Sequence, residues 1–197
     1  FIDSGAMYRA VTLYLMRENI SLREVSEDPA LLGNIKITFH FDPGRCYYET
    51  YLNGENVENE IRSMEVARKV SPVSAIQEIR TFLVAQQQTM GKDKGVVMDG
   101  RDIGTVVFPE AELKIFMTAS PEIRAKRRYE ELHKKGIHVN YQEVLHNIIE
   151  RDHIDSTREA SPLAKAEDAI TLDNSAMSKD EQARLSLSWA RGVIESL

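Results

Sequence analysis

Four short apolar stretches separated by segments of helical periodicity constrain this 197-residue chain most: residues 1–2, VVM at 96–98, LKIFMT at 113–118 and AITL at 169–172. Between the first two, Met7, Ala10, Val11, Tyr14 and Leu15 recur at helical spacing over 4–18, and Ser4 with Gly5 suits a helix start. Val66, Val70, Ile76, Ile79, Phe82 and Leu83 predict helices over 62–90, interrupted at Pro72 and closed by Gly91. Further helices are expected over 121–135, over 141–153 and from 179, the last behind a Ser178/Glu181 capping box. Short strands alternating with amphipathic helices predict an α/β fold, a doubly wound parallel sheet wrapped on both faces. One stretch departs from this pattern. IKITFHF and YYETYL flank DPGRC and are followed by Asn53-Gly54, which predicts a small antiparallel insert in an otherwise single domain over 1–197.

At 42% hydrophobic the chain can bury a real core, so intrinsic disorder is not expected. Its 25 Lys and Arg against 31 Asp and Glu give a net charge of -6, the wrong sign for holding nucleic acid by a global field. Any anion must be gripped locally. Cys46 is the only cysteine, which excludes an intrachain disulfide and suggests a reducing, cytoplasmic setting. No apolar run approaches the length of a membrane span, so no membrane partner is expected.

In sheets of this class ligands bind beyond the carboxyl ends of the strands, which directs attention to Asp3-Ser4-Gly5 and to Asp99-Gly100-Arg101-Asp102. VVMDGRD is an apolar strand running into an aspartate, an arrangement by which phosphotransferases hold magnesium; the plain alternative is a turn or cap aspartate. An arginine such as Arg101 can grip a phosphate through paired bonds while Asp102 accepts from an amino or hydroxyl group; the alternative is a local ion pair. Ser4 and Arg9 span the first turns of a helix whose amino end favours an anion. Arg124, Lys126, Arg127 and Arg128 crowd one turn, with Glu122, Glu130 and Glu131 near enough to neutralise them. Arg151, Asp155 and Arg158 share one helical face, as a surface ion-pair ladder also would. The five histidines show no metal-ligand spacing.

Taken together and in order, IDSGAMYR at 2–9, NGENVENEIRSMEVARKVS at 53–71, MDGRDIGTVVFPEAELKIF at 98–116, RAKRR at 124–128 and ERDHIDSTREASPL at 150–163 resemble bacterial-type cytidylate kinases. The resemblance implies a nucleoside monophosphate kinase fold with a monophosphate-binding insert near 34–70 and a short lid within 120–158. It implies transfer of the ATP γ-phosphoryl group to CMP or dCMP by a cytoplasmic protein, expected to be a monomer. By the same resemblance Ser4 and Arg9 face the acceptor nucleotide, while Ser71, Arg80 and Asp102 read its cytosine. Arg101 joins Arg9 on the acceptor phosphate, and Arg151 with Asp155 contacts sugar and phosphate. Arg127, Arg128 and Arg158 close over the transferring group; Asp99 and Asp3 help hold Mg2+ through water.

Family members carry a strand, a GxxxxGK[ST] loop and a helix ahead of IDSG, and no GxxxxGK[ST] sequence occurs in this chain. Without that first strand, P-loop and first helix, donor-phosphate binding is expected to fail and the chain as given is expected to be inactive. The other readings of the sequence are a non-catalytic nucleotide-binding fragment and a related kinase with another small acceptor.

Overall fold

The computed structural model describes residues 1–196. Strand β1 (Ile2–Asp3) runs directly into α1 (Ser4–Arg17), and α2 (Leu22–Glu27) and a 3-10 turn (Pro29–Asn34) follow. The insert is a three-stranded antiparallel sheet of β2 (Ile37–Asp42), β3 (Tyr47–Leu52) and β4 (Glu55–Asn56), with β2 and β3 in register from Ile37↔Leu52 to Asp42↔Tyr47. A second 3-10 turn (Glu60–Arg62) leads to α3 (Met64–Ala75) and α4 (Gln77–Met90). Beyond β5 (Met98–Asp99), a π-helical turn (Ile103–Val107) leads to β6 (Ile115–Thr118). The chain then forms α5 (Pro121–Lys134), α6 (Tyr141–Thr157), β7 (Ile170–Asp173) and α7 (Lys179–Ser196).

The expected α/β class holds, with its parallel pairing in two separate two-stranded units. In one, β1 lies beside β5 with Ile2↔Met98 and Asp3↔Asp99; in the other, β6 lies beside β7 from Ile115↔Ile170 to Thr118↔Asp173. The predicted VVM strand shrinks to Met98–Asp99, paired with Ile2–Asp3, and Val97 is 69% exposed.

Two further expectations shift by a few residues. The cap of α1 is Asp3 rather than Ser4: its Oδ1 accepts from the Ala6 amide at 2.9 Å, while Ser4 is already helical. Pro72 lies inside α3, and the break falls at Ile76, whose backbone is extended. Proline removes one hydrogen bond, but its fixed φ is close to helical, so the helix runs on through it. The Gly91 cap and the reciprocal Ser178–Glu181 box both form.

The main core surrounds α1, where Ala6, Met7, Ala10 and Val11 are fully buried against residues of the insert and of α3 and α4. Burying one such apolar side chain contributes about 1.5–3 kcal/mol, so α1 is a rigid floor for whatever sits above its amino end. A second, smaller cluster of Ala125, Leu132 and Val144 joins α5 to α6. The helical pair at 121–157 therefore has its own packing. No helix among the described residues is long and apolar enough to cross a membrane.

Candidate acceptor-nucleotide site

The pocket opens where β1 and β5 end side by side. Ser4 Oγ donates to the Asp99 carbonyl at 2.6 Å, pinning the two strand ends together. Gly100 lies so close that a Cβ there would collide with Ser4 Oγ and stand 2.7 Å from Ile103, so any side chain would have to displace one or the other. These contacts aim Asp99, Arg101 and Asp102 into one cavity with the first turns of α1.

At one end lies a buried ion pair. Arg80 and Asp102 are 2% and 4% exposed and bond directly. Arg80 also donates to the Ser74 carbonyl at 2.9 Å and lies 5.3 Å from the centroid of the Tyr8 ring. A buried pair needs its remaining donors satisfied, yet Arg80 Nε and the Tyr8 hydroxyl have no partner among the described residues. Burial pushes the Tyr8 hydroxyl up to about 12, so it stays protonated and able to donate.

Guanidinium groups also gather around Asp155. Arg101 Nε donates to Asp155 Oδ2 at 3.0 Å, Arg158 donates to Asp155 Oδ1 at 3.2 Å, and Arg151 stands 3.7 Å from the same carboxylate. Burial and the neighbouring Arg101 lower the Arg151 pKa, and burial and Arg80 lower that of Arg158, the mark of cations crowded with too few counter-charges. Six arginines and four aspartates line the pocket, a local excess of positive charge in a chain of net charge -6.

The aspartates divide by environment. Both oxygens of Asp3 are engaged, Oδ1 by the α1 cap and Oδ2 by Arg9 at 2.7 Å and Arg62 at 2.9 Å. Burial opposes ionisation of Asp3, but the two arginines and the Ala6 amide outweigh it and hold its carboxyl below the usual range. Among the described residues no side chain donates to the Asp99 carboxylate; burial and the Asp3 charge push its pKa up. Asp99 is thus the carboxylate with coordination capacity to spare, at a strand end where Mg2+ bound through water would fit.

Ser4, Arg9, Ser71, Arg80, Arg101, Asp102, Arg151, Asp155, Arg158, Asp3 and Asp99 all line this one cavity. Arg127 and Arg128, expected to close over the transferring group, do not line it. Arg127 turns to the β7–α7 connection, donating to Asn174 Oδ1 at 2.8 Å and to the Asn174 carbonyl at 2.6 Å, while Arg128 pairs with Glu131. Arg124 forms a two-bonded pair with Asp152 that ties α5 to α6. Sequence reasoning missed Tyr8, Arg62 and Ser74 as lining residues. The signal was present for two of them: Tyr8 adjoins Arg9 in IDSGAMYR, and Arg62 lies in the shared EIRSMEVARKVS stretch.

This geometry coincides with a match to known proteins. The family model described as cytidylate kinase matches residues 1–188. The chain belongs to the cytidylate kinase family. The cytidylate kinase of Parabacteroides distasonis is 59% identical over 186 residues, covering 92% of this chain and 81% of that protein. A Bacteroides fragilis cytidylate kinase is 58% identical over 185 residues, with the same coverage of both chains. In Flavobacterium psychrophilum the cytidylate kinase is 52% identical over 196 residues, covering 98% of this chain and 87% of that protein. Nothing in these family matches supports the expectation that the chain is inactive.

Proposed function

We propose that this member of the cytidylate kinase family transfers the γ-phosphoryl group of ATP to CMP or dCMP, with the acceptor nucleotide held in the pocket at the ends of β1 and β5. The observation that carries the reading is the pocket's divided chemistry: a buried Arg80–Asp102 pair in one part, Arg9, Arg101 and Arg151 in another, and Ser71 in the same lining.

Cytosine presents one amino donor and two acceptors on its pairing edge. A carboxylate, a guanidinium and a hydroxyl match that pattern, with Asp102 accepting from the amino group and Arg80 and Ser71 donating to the ring acceptors. The partnerless Arg80 Nε supports this assignment, since a buried guanidinium N–H without an acceptor is costly. The acceptor phosphate then meets Arg9 and Arg101, and Asp155, held by Arg158 and Arg101, faces the sugar. In-line transfer asks little covalent work of the protein: it requires positioning, neutralisation of charge and exclusion of water. When bound, Mg2+ would neutralise charge on the phosphate oxygens. Asp99 would hold it, with Asp3 behind as the anchor of Arg9.

The test is Asp102→Asn, which keeps shape but places an amide where cytosine needs an acceptor. The KM for CMP should rise by about 10- to 100-fold while that for ATP stays within about twofold. Equal changes in both constants would refute the assignment of Asp102 to the base.

A further inference from the structure

Arg62 ends the turn that joins the insert to α3, and its guanidinium faces two ways. Toward the insert, Nε donates to Glu58 Oε1 at 2.9 Å; toward the pocket, Nη2 donates to Asp3 Oδ2 at 2.9 Å. Glu58 is only 6% exposed, and its other oxygen accepts from the amide and hydroxyl of buried Thr50 at 3.1 and 2.8 Å. Asp3 Oδ2 is shared with Arg9 Nη2 at 2.7 Å. An unbroken run of charge-assisted bonds thus leads from β3 of the insert, through Glu58 and Arg62, to the tip of β1 and on to Arg9.

The placement of Arg62 is more informative than its stability contribution. Its side chain is 47% exposed on the pocket wall, and ion pairs of that exposure add little to folding. Arg9, by contrast, is mostly buried, and its Nε has no partner among the described residues. Only Asp3 fixes how its remaining donors point, and Gly5 leaves no side chain between them: a Cβ there would stand 3.1 Å from both Arg9 Nη1 and Asp3 Oδ1. An arginine fork suits this two-sided task, which a single ammonium group would serve poorly.

We infer that Arg62 is a positioning residue for the acceptor phosphate: by anchoring Asp3 to the insert, it holds Arg9 aimed at the phosphate of the bound nucleotide. The inference rests on the proposed CMP site. It is tested by calorimetric titration of the full chain with CMP and with cytidine, which shares the base and sugar but lacks the phosphate.

Arg62→Met should weaken CMP by about 10-fold and cytidine by less than about twofold. Glu58→Gln, which lies outside the pocket and removes only the far anchor, should weaken CMP by about threefold with the same sparing of cytidine. The second variant keeps the test decisive if Arg62→Met fails to fold. Equal weakening of CMP and cytidine would make Arg62 merely structural and overturn the inference, as would unchanged CMP binding in both variants. Absence of CMP binding by the parent chain would overturn the proposed function, and the inference with it. CMP binding by the parent with no selective loss would overturn the inference alone.

Discussion

Asp3 and Asp99 occupy matching positions on neighbouring strands yet carry opposite pKa shifts, and the consequences for stability have opposite signs. The depressed Asp3 pKa stabilises the fold above the ordinary aspartate range, and that stabilisation is lost as pH falls through the folded value. Asp99, raised by burial and by its neighbour, destabilises the fold when ionised, so its contribution worsens as pH rises from the unfolded to the folded value. Asp3→Asn should therefore lower stability at neutral pH by about 1–2 kcal/mol, a deficit that shrinks on acidification. Asp99→Asn should raise it, while reducing kcat by about 100-fold with CMP affinity little changed. Denaturant melts at pH 7 and at pH 4 check both signs; a deficit for Asp99→Asn at pH 7 would contradict the account. Much of the pocket was legible at this scale, since Ser4, Arg101 and Asp102 follow strand ends and Arg9 stands on the helix that starts at one of them. The contacts of Arg127 with Asn174 were not, because they bring together residues 47 apart in sequence.

Among the elements, the β5–π-turn junction is the tightest. Gly100→Ala would drive a methyl group into Ser4 and Ile103, so either the Ser4–Asp99 clasp opens or Asp102 shifts. Such overpacking costs about 1–3 kcal/mol. The variant should melt earlier and also bind CMP several-fold more weakly, whereas Gly33→Ala, with open space around its Cβ position, serves as the neutral control. Helix and strand identity followed from periodicity because the apolar positions of α1, α3 and α4 are the ones that pack into a single core. Their ends did not. A proline signals a missing donor rather than a break, and a cap is decided by which side chain reaches the first free amides, here Asp3.

For the whole molecule, the insert and the α5–α6 pair flank the parallel strand ends, and each sends charge into the pocket, through Arg62 on one side and Arg151, Asp155 and Arg158 on the other. A chain of net negative charge thereby assembles a locally positive cavity, as the composition required of any anion site. Composition could exclude a global nucleic-acid field, but the pairing of Arg80 with Asp102 across 22 residues is a property of the folded chain alone.

The most direct test is the crystal structure of the protein with CMP. The account predicts the cytosine amino group about 3 Å from an Asp102 oxygen, with Arg80 and Ser71 on the ring acceptors and the phosphate against Arg9 and Arg101. A nucleotide bound elsewhere, or reversed so that its phosphate meets the Arg80–Asp102 end, would contradict it.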